Sequence, residues 1–349
     1  DALPICALVR YNLYDNYGKD WYANESGVGP VWDWNNDPID LGKPRLSEKV
    51  DRSNEITTEF RIDYNRTFAE AHTIGATAVF NSWQYDSNNL GASRKEYETG
   101  VIEQINGGPS STAENSGTAN EHGRMGLVGR VKYDYKMRYL LGFSFRYDGS
   151  DKFPKNKRWG FFPSIEAGWN VDKEPFMTPI LEQGWLDGFK LRFSWGKIGL
   201  DNVDDFAYLA VYKKGHDFYE GNLWNSTLYE GGLVSQDLTW YTRNTINIGV
   251  DAEFFKRRLT LGFDYFYYRT TGYLASPQDQ YTTPLGTGLP KIKTNSAHRR
   301  AGYELNMNWS DKIGRDFSYN VGFNLSQYDE LWEKKYDEIE ADRKSTRLN

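Results

Sequence analysis

The sequence has a single cysteine, Cys6, among 349 residues. That excludes an intramolecular disulfide framework and every multi-cysteine metal site. Its four histidines, His72, His122, His216 and His298, lie far apart with no metal-type spacing. Excess positive charge is missing as well: 42 Lys and Arg stand against 48 Asp and Glu, a formal charge of −6. Without a dense basic cluster, no nucleic-acid partner is expected. Nor is there an apolar run long enough to cross a bilayer as a helix, since the stretch Ala2 to Val9 is interrupted by Pro4. No initiating methionine or basic leader precedes that stretch, so it reads as the interior of a longer protein and not as a signal peptide.

Aromatic rings are abundant: 25 Tyr, 19 Phe and 12 Trp make up 16% of a chain that is polar on average. Strict alternation shows where the rings go. In 245–254, Ile246, Ile248, Val250, Ala252 and Phe254 alternate with Thr245, Asn247, Gly249, Asp251 and Glu253. The segment from Leu259 puts Leu261, Phe263, Tyr265 and Tyr267 on one face. Phe317, Tyr319, Val321, Phe323 and Leu325 repeat the pattern. Similar runs cover 55–65, 72–83, 125–135, 138–147, 160–171, 188–197 and 302–310, which makes ten candidate strands.

Their length, near ten residues, is that of tilted strands crossing a bilayer, against about 5–6 in ordinary sheets. Connections alternate between short (66–71, 136–137, 172–187, 255–258, 311–316) and long (84–124, 148–159, 198–244, 268–301). Of the short ones, 172–187 has room for a helical turn. Short turns on one rim and long loops on the other characterise an outer-membrane barrel. Rings gather at strand ends: Tyr133, Tyr135, Tyr139, Phe254, Phe255, Trp309, Phe317 and Tyr319 near short turns, and Tyr147, Trp159, Phe161, Tyr265 and Tyr267 at the opposite ends. Such girdles suit the lipid–water boundary. The other face carries Glu59, Arg61, Asp63, Arg130, Lys132, Asp134, Arg146, Glu166, Lys190, Arg192, Asp251, Glu253, Asp264 and Glu304. Charges facing lipid cost about 2–4 kcal/mol each near the midplane, so this face belongs to a hydrated or plugged lumen. The fold class expected is therefore all-β, an antiparallel transmembrane β-barrel in the outer membrane of a Gram-negative bacterium. The density of inward charge points to a barrel larger than ten strands.

Two ordered strings are more specific. Phe145-Arg-Tyr-Asp-Gly-Ser-Asp-Lys-Phe153, continuing through Lys155 to Ser164 and ending in Ala167-Gly-Trp169, resembles the SusC/RagA family of TonB-linked outer-membrane transporters. So does Leu191-Arg-Phe-Ser-Trp-Gly-Lys-Ile-Gly199. The hairpin Ile246 to Leu274, with its Phe-Phe-x-Arg-Leu-like turn, and the stretch Gly302–Leu325 extend the resemblance over 124–328. The resemblance implies a 22-stranded barrel with a plug, and import of oligosaccharides or peptides driven through the TonB complex. It also implies a SusD-like surface lipoprotein as lid. No plug domain, TonB box or aromatic-ended last strand is recognisable in the sequence. Accordingly 1–53 is expected to be an extracellular loop region, 54–328 the barrel segment, and 329–349 the start of a loop followed by a non-native tail.

No catalytic constellation is present, and a non-enzymatic role is expected. The Gly- and Ser-rich stretch 107–123 lacks a phosphate-loop pattern and reads as a surface loop. No cofactor is expected. Asp201, Asp204 and Asp205 could surround calcium, but their spacing favours a solvated acidic loop. Candidate substrate contacts are the loop rings Trp21, Trp32, Trp34, Tyr219, Trp224, Tyr229 and Trp240, set among Asn, Asp and Gly. Flat rings beside amides and carboxylates can stack on sugars or grip peptides, and they can equally pack loops together. A siderophore or cobalamin receptor, or a soluble all-β glycan-binding module, are the alternative readings.

Overall fold

The computed structural model describes residues 4–22, 31–32, 38–39, 44–220, 223–275 and 290–335; of residues 31–32, 38–39, 216–219 and 223–226 it describes the backbone alone. Eleven strands hydrogen-bond in chain order into one sheet. They are β1 (Ile5–Tyr22), β2 (Arg45–Phe68), β3 (His72–Arg94), β4 (Glu114–Tyr135), β5 (Tyr139–Ser150), β6 (Trp159–Asn170), β7 (Leu186–Leu200), β8 (Tyr241–Phe254), β9 (Leu259–Thr271), β10 (Ala297–Ile313) and β11 (Phe317–Lys334). From β5 to β11 each strand pairs antiparallel with the next. The only α-helix among the described residues is α1 (Thr178–Leu181), and none is long and apolar enough to cross a membrane.

The ten expected strands are present, several of them longer than their alternation suggested. The runs 55–65, 72–83 and 125–135 are the cores of strands with 24, 23 and 22 residues. Much of 84–124, expected as a loop, is therefore strand. β1 is an eleventh strand within 1–53, where loop was expected, and β2 begins in the same segment. At the other end β11 continues to Lys334, and the expected tail beyond 335 lies outside the described residues.

The chain divides into two packed bodies. Among the described residues, one holds Phe60–Phe80 and those from Met125 onward, with those before Ala7. The other holds those of Ala7–Glu59 and Asn81–Arg124. In the first body, cross-strand register lines up the apolar side chains in rows: Phe254, Leu259, Trp309 and Val321; then Val250, Phe263, Leu305 and Leu325; then Ile248, Tyr265 and Tyr303. Six of these eleven side chains remain exposed, Ile248 at 49% and Phe263 at 44% among them, and the others are half-buried. A row this apolar and this bare needs a non-aqueous neighbour.

The short connections run through 69–71, 136–138, 255–258 and 314–316. Three of them bend without glycine: Ala69 and Glu70, Lys136 and Met137, and Phe255, Lys256 and Arg257 all have positive φ. Neighbours hold them there. Asp134 accepts a hydrogen bond from the Met137 amide at 2.6 Å, and the Arg257 amide donates to Asp187 at 3.0 Å. The connection 171–185 does hold helical turns, which bury Val171 and Met177 with Leu186 against the strand ends. Glu174 is buried in this turn, where Trp169 donates its indole N–H at 3.1 Å and Arg138 lies 3.6 Å away. Hydrogen bonds from Tyr139 and Trp169, aided by Arg138, hold its carboxyl below the usual carboxylate range.

Candidate functional site

Opposite the bare apolar rows, the other face of the sheet is a fabric of ion pairs. Arg192 on β7 grips Asp251 on β8 through two hydrogen bonds of 2.7 and 2.9 Å, and reaches Asp264 on β9 at 3.0 Å. Crossing β8 requires an opening, and the sequence supplies one. Gly249 lies opposite both Arg192 and Asp264 in register, and a Cβ there would come within 2.7 Å of the guanidinium carbon and 2.6 Å of the carboxylate. The same device recurs at Gly142 on β5, opposite Glu166. There the Glu166 side chain on β6 lies over the glycine, where a Cβ would come within 2.4 Å of its Cγ and Oε1, and it accepts a hydrogen bond from Arg130 on β4 at 2.5 Å. Arg61 pairs with Asp63 at 2.6 Å, and Thr77 donates to the same carboxylate at 2.7 Å. A cavity of about 560 Å3 opens on this face, lined by Arg130, Lys132, Glu166, Lys190, Arg192 and Asn247 among others. Such a surface binds polar groups and water; in lipid it would cost several kcal/mol per charge.

Beyond the long-loop ends of β5 to β9, the loops build their own core. Phe153, Phe162, Val203, Leu238 and Trp240 are buried together, with Tyr208 and Leu274 packed against them. Phe162 can lie there because Gly160 and Gly199 leave its ring uncontested; a Cβ at either would overlap it. The two strings that carry the family resemblance, 145–169 and 191–199, thus meet at one ring. Trp240 packs on Phe153 and Phe162 at 5.3 and 5.2 Å and donates its indole N–H to the Arg158 carbonyl at 2.9 Å. This candidate substrate ring is part of a core, and its faces are taken by neighbours.

The other candidate rings are distributed widely. Trp21 meets the buried Tyr97 edge-on at 5.1 Å. Tyr97 in turn donates its hydroxyl to the Gln104 carbonyl at 3.0 Å, and burial pushes that hydroxyl above its usual pKa. Tyr229 is 37% exposed on the hairpin Tyr212–Glu220 with Leu223–Glu230. Tyr219 and Trp224 lie opposite one another in that hairpin, and Trp32 sits in a two-residue pairing with Pro38; the side chains of all three, and all of Trp34, lie outside the described residues. The carboxylates at 201–205 are engaged by the chain itself. Ser150 donates to Asp201 at 2.9 Å, Lys291 pairs with Asp204 at 2.7 Å and Lys152 with Asp205 at 3.2 Å. Among the described residues no group of acidic or histidine side chains could hold a metal.

Sequence reasoning missed one cluster. On β3 and β4, Trp83, Tyr85 and His122 form a run of nearly parallel rings with centroids 6.0 and 6.3 Å apart. Arg124 lies 5.8 Å over Trp83, whose indole N–H donates to Glu55 at 2.9 Å. The two-residue spacing of Trp83 and Tyr85 is the signal, but the alternating run 72–83 ends at Trp83 and Tyr85 falls in 84–124, expected as a loop.

Comparison with known proteins agrees with this geometry. Residues 7–349 match the family model described as TonB dependent receptor-like, beta-barrel. TonB-dependent receptor P39 of Formosa agariphila is 32% identical over 294 residues, covering 82% of this chain and 27% of the relative. TonB-dependent receptor SusC of Bacteroides thetaiotaomicron is 31% identical over 219 residues, 61% of this chain and 21% of the relative. The chain thus spans about a quarter of the length of these relatives. Among solved structures, the RagAB peptide importer in its closed-closed state superposes with a TM-score of 0.81 at 18% identity, covering 97% of this chain and 35% of that one. The likeness is one of fold. With ion pairs on one face, apolar rows on the other and these matches together, the chain belongs to the TonB-dependent receptor-like β-barrel family, among relatives of the SusC type.

Proposed function

We propose that this chain forms part of the wall of an outer-membrane importer for glycans or oligosaccharides. The importer is powered through the TonB complex and capped by a SusD-like surface lipoprotein. The observation that carries the proposal is the two-faced sheet. Its ion-paired face, bridged over Gly249 and Gly142, offers a hydrated path, while the bare apolar rows supply the lipid side. The chain's part is passive: it shapes the passage and holds solute through polar groups, and the energy enters elsewhere. Trp21, near the end of β1, and Tyr229, on the hairpin that ends at Glu230, are the candidate rings best placed among the described residues to meet solute. A second reading, import of peptides, is favoured by the likeness to a peptide importer.

Deleting the full-length gene and measuring uptake of labelled oligosaccharides and of labelled peptides tests both readings. Loss of oligosaccharide uptake, reproduced when the proton gradient is collapsed, is the expected result. Loss of peptide uptake alone transfers the function to the second reading. Unchanged uptake of both removes the importer assignment.

A further inference from the structure

The second body contains a cavity of about 450 Å3 where the ends of β1, β2 and β3 meet. Its charge balance is unusual. Two of its four cations are neutralised: Lys19 pairs with Glu103 at 3.6 Å and Lys95 with Glu114 at 2.8 Å. The other two are not. Arg45 has no carboxylate partner among the described residues; its guanidinium sits 5.0 Å over the ring of Tyr22. Arg94 donates to the Gly108 carbonyl at 2.7 Å, and its Nε is buried without a hydrogen-bond partner. A guanidinium laid on an aromatic face is held in place while its N–H edge stays open to a ligand. Ser47, also lining the cavity, offers a hydroxyl that can donate or accept; Ser93 donates to Glu114 at 3.4 Å and offers its oxygen as an acceptor, as does Asp20. Beneath them Leu46 and Tyr97 are buried, so the floor is fixed.

From this arrangement we propose that the cavity binds an acidic sugar residue, its carboxylate or sulfate held by Arg45 and Arg94 and its hydroxyls by Ser47, Ser93 and Asp20. Guanidinium matches the planar, two-oxygen edge of such anions, and these charge-assisted bonds are the strong ones. A neutral sugar would leave both arginines unanswered. The inference deepens the importer reading and rests on it: it names acidic oligosaccharides as the substrate class.

The test uses the full-length receptor in detergent, titrated calorimetrically with a hexamer of galacturonic acid, a sulfated chondroitin hexasaccharide, maltohexaose and hexaglutamate. The expected result is binding of at least one acidic saccharide, weakened about 10-fold or more by Arg45→Gln, as for one lost charge-assisted bond. Raised salt should weaken it as well. Thermal midpoints of wild type and variant should agree, since Arg45 is exposed. Acidic saccharide binding that is indifferent to Arg45→Gln and to Arg94→Gln overturns the inference. So does binding of maltohexaose alone, which leaves the importer reading standing. Hexaglutamate binding in place of the saccharides also overturns it and moves the function to peptides. Binding of none of the four, with oligosaccharide uptake absent in cells, brings down both.

Discussion

Two glycines show how much rests on a missing side chain. Gly249 lies under the Arg192 guanidinium on its way to Asp264, and Gly142 lies under the Glu166 side chain that accepts from Arg130. Replacing Gly249 by alanine forces Arg192 or Asp264 aside. The side chains there are part-exposed, so the expected loss is modest, about 1–2 kcal/mol. Gly262 provides the control, because its nearest neighbours lie 3.8 Å from an added Cβ and Gly262→Ala should be tolerated. Thermal midpoints of the two full-length variants check this directly; equal midpoints would contradict it. The opposite sign is expected at Met137, where a non-glycine residue is held at φ 54°. Met137→Gly relieves strain of about 1–2 kcal/mol, partly offset by about 0.5–1 kcal/mol of added chain freedom, and should raise the midpoint slightly.

Elements here are held at both rims by different chemistry. On the short-turn rim, Glu174 ties 171–177 to Tyr139, Trp169 and Arg138. Its folded pKa is depressed, so the carboxylate's contribution is fully present above the ordinary Glu value, about 4.3, and is lost as pH falls through the lower folded value. Protection of the amides in 171–177, measured relative to their intrinsic exchange rates, should therefore fall as pH drops below the ordinary Glu value in the wild type, and should be low already at neutral pH in Glu174→Ala. A protection factor indifferent to pH in the wild type would contradict this. On the long-loop rim, Phe162→Ala removes the ring that Gly160 and Gly199 accommodate. The cost for a buried phenylalanine is about 3–5 kcal/mol, and it should appear as protease cleavage in 201–240 with the strands intact. Most of these elements were legible in the sequence, since one face must be apolar wherever a strand crosses lipid. Alternation fades in β1 and at the long-loop ends of β2, β3 and β4, where apolar and polar residues occur on both faces, as in Asn81 to Arg94. With nothing to impose a period of two, those stretches read as loops. The site was less legible. Charges on the polar face could be counted, but which arginine meets which carboxylate depends on register. The fate of Trp240 depends on loops that meet only after folding.

For the whole molecule, everything functional depends on one face of this sheet meeting lipid and the other meeting water. The ion pairs, the cavities and the importer reading all fail together if it does not. Strand β8 offers the cleanest probe, because its register with both neighbours is continuous from Thr242 to Glu253. Spin labels placed one at a time at positions 246–253 of the full-length receptor in lipid bilayers would report collision with oxygen, which partitions into lipid, and with a water-soluble nickel chelate. The expected result is a period of two. Labels at Ile246, Ile248, Val250 and Ala252 meet oxygen, and those at Asn247, Gly249, Asp251 and Glu253 meet the chelate or are shielded from both. Equal chelate access at Ile248 and Val250 would mean that the apolar rows face water, and would contradict a membrane wall.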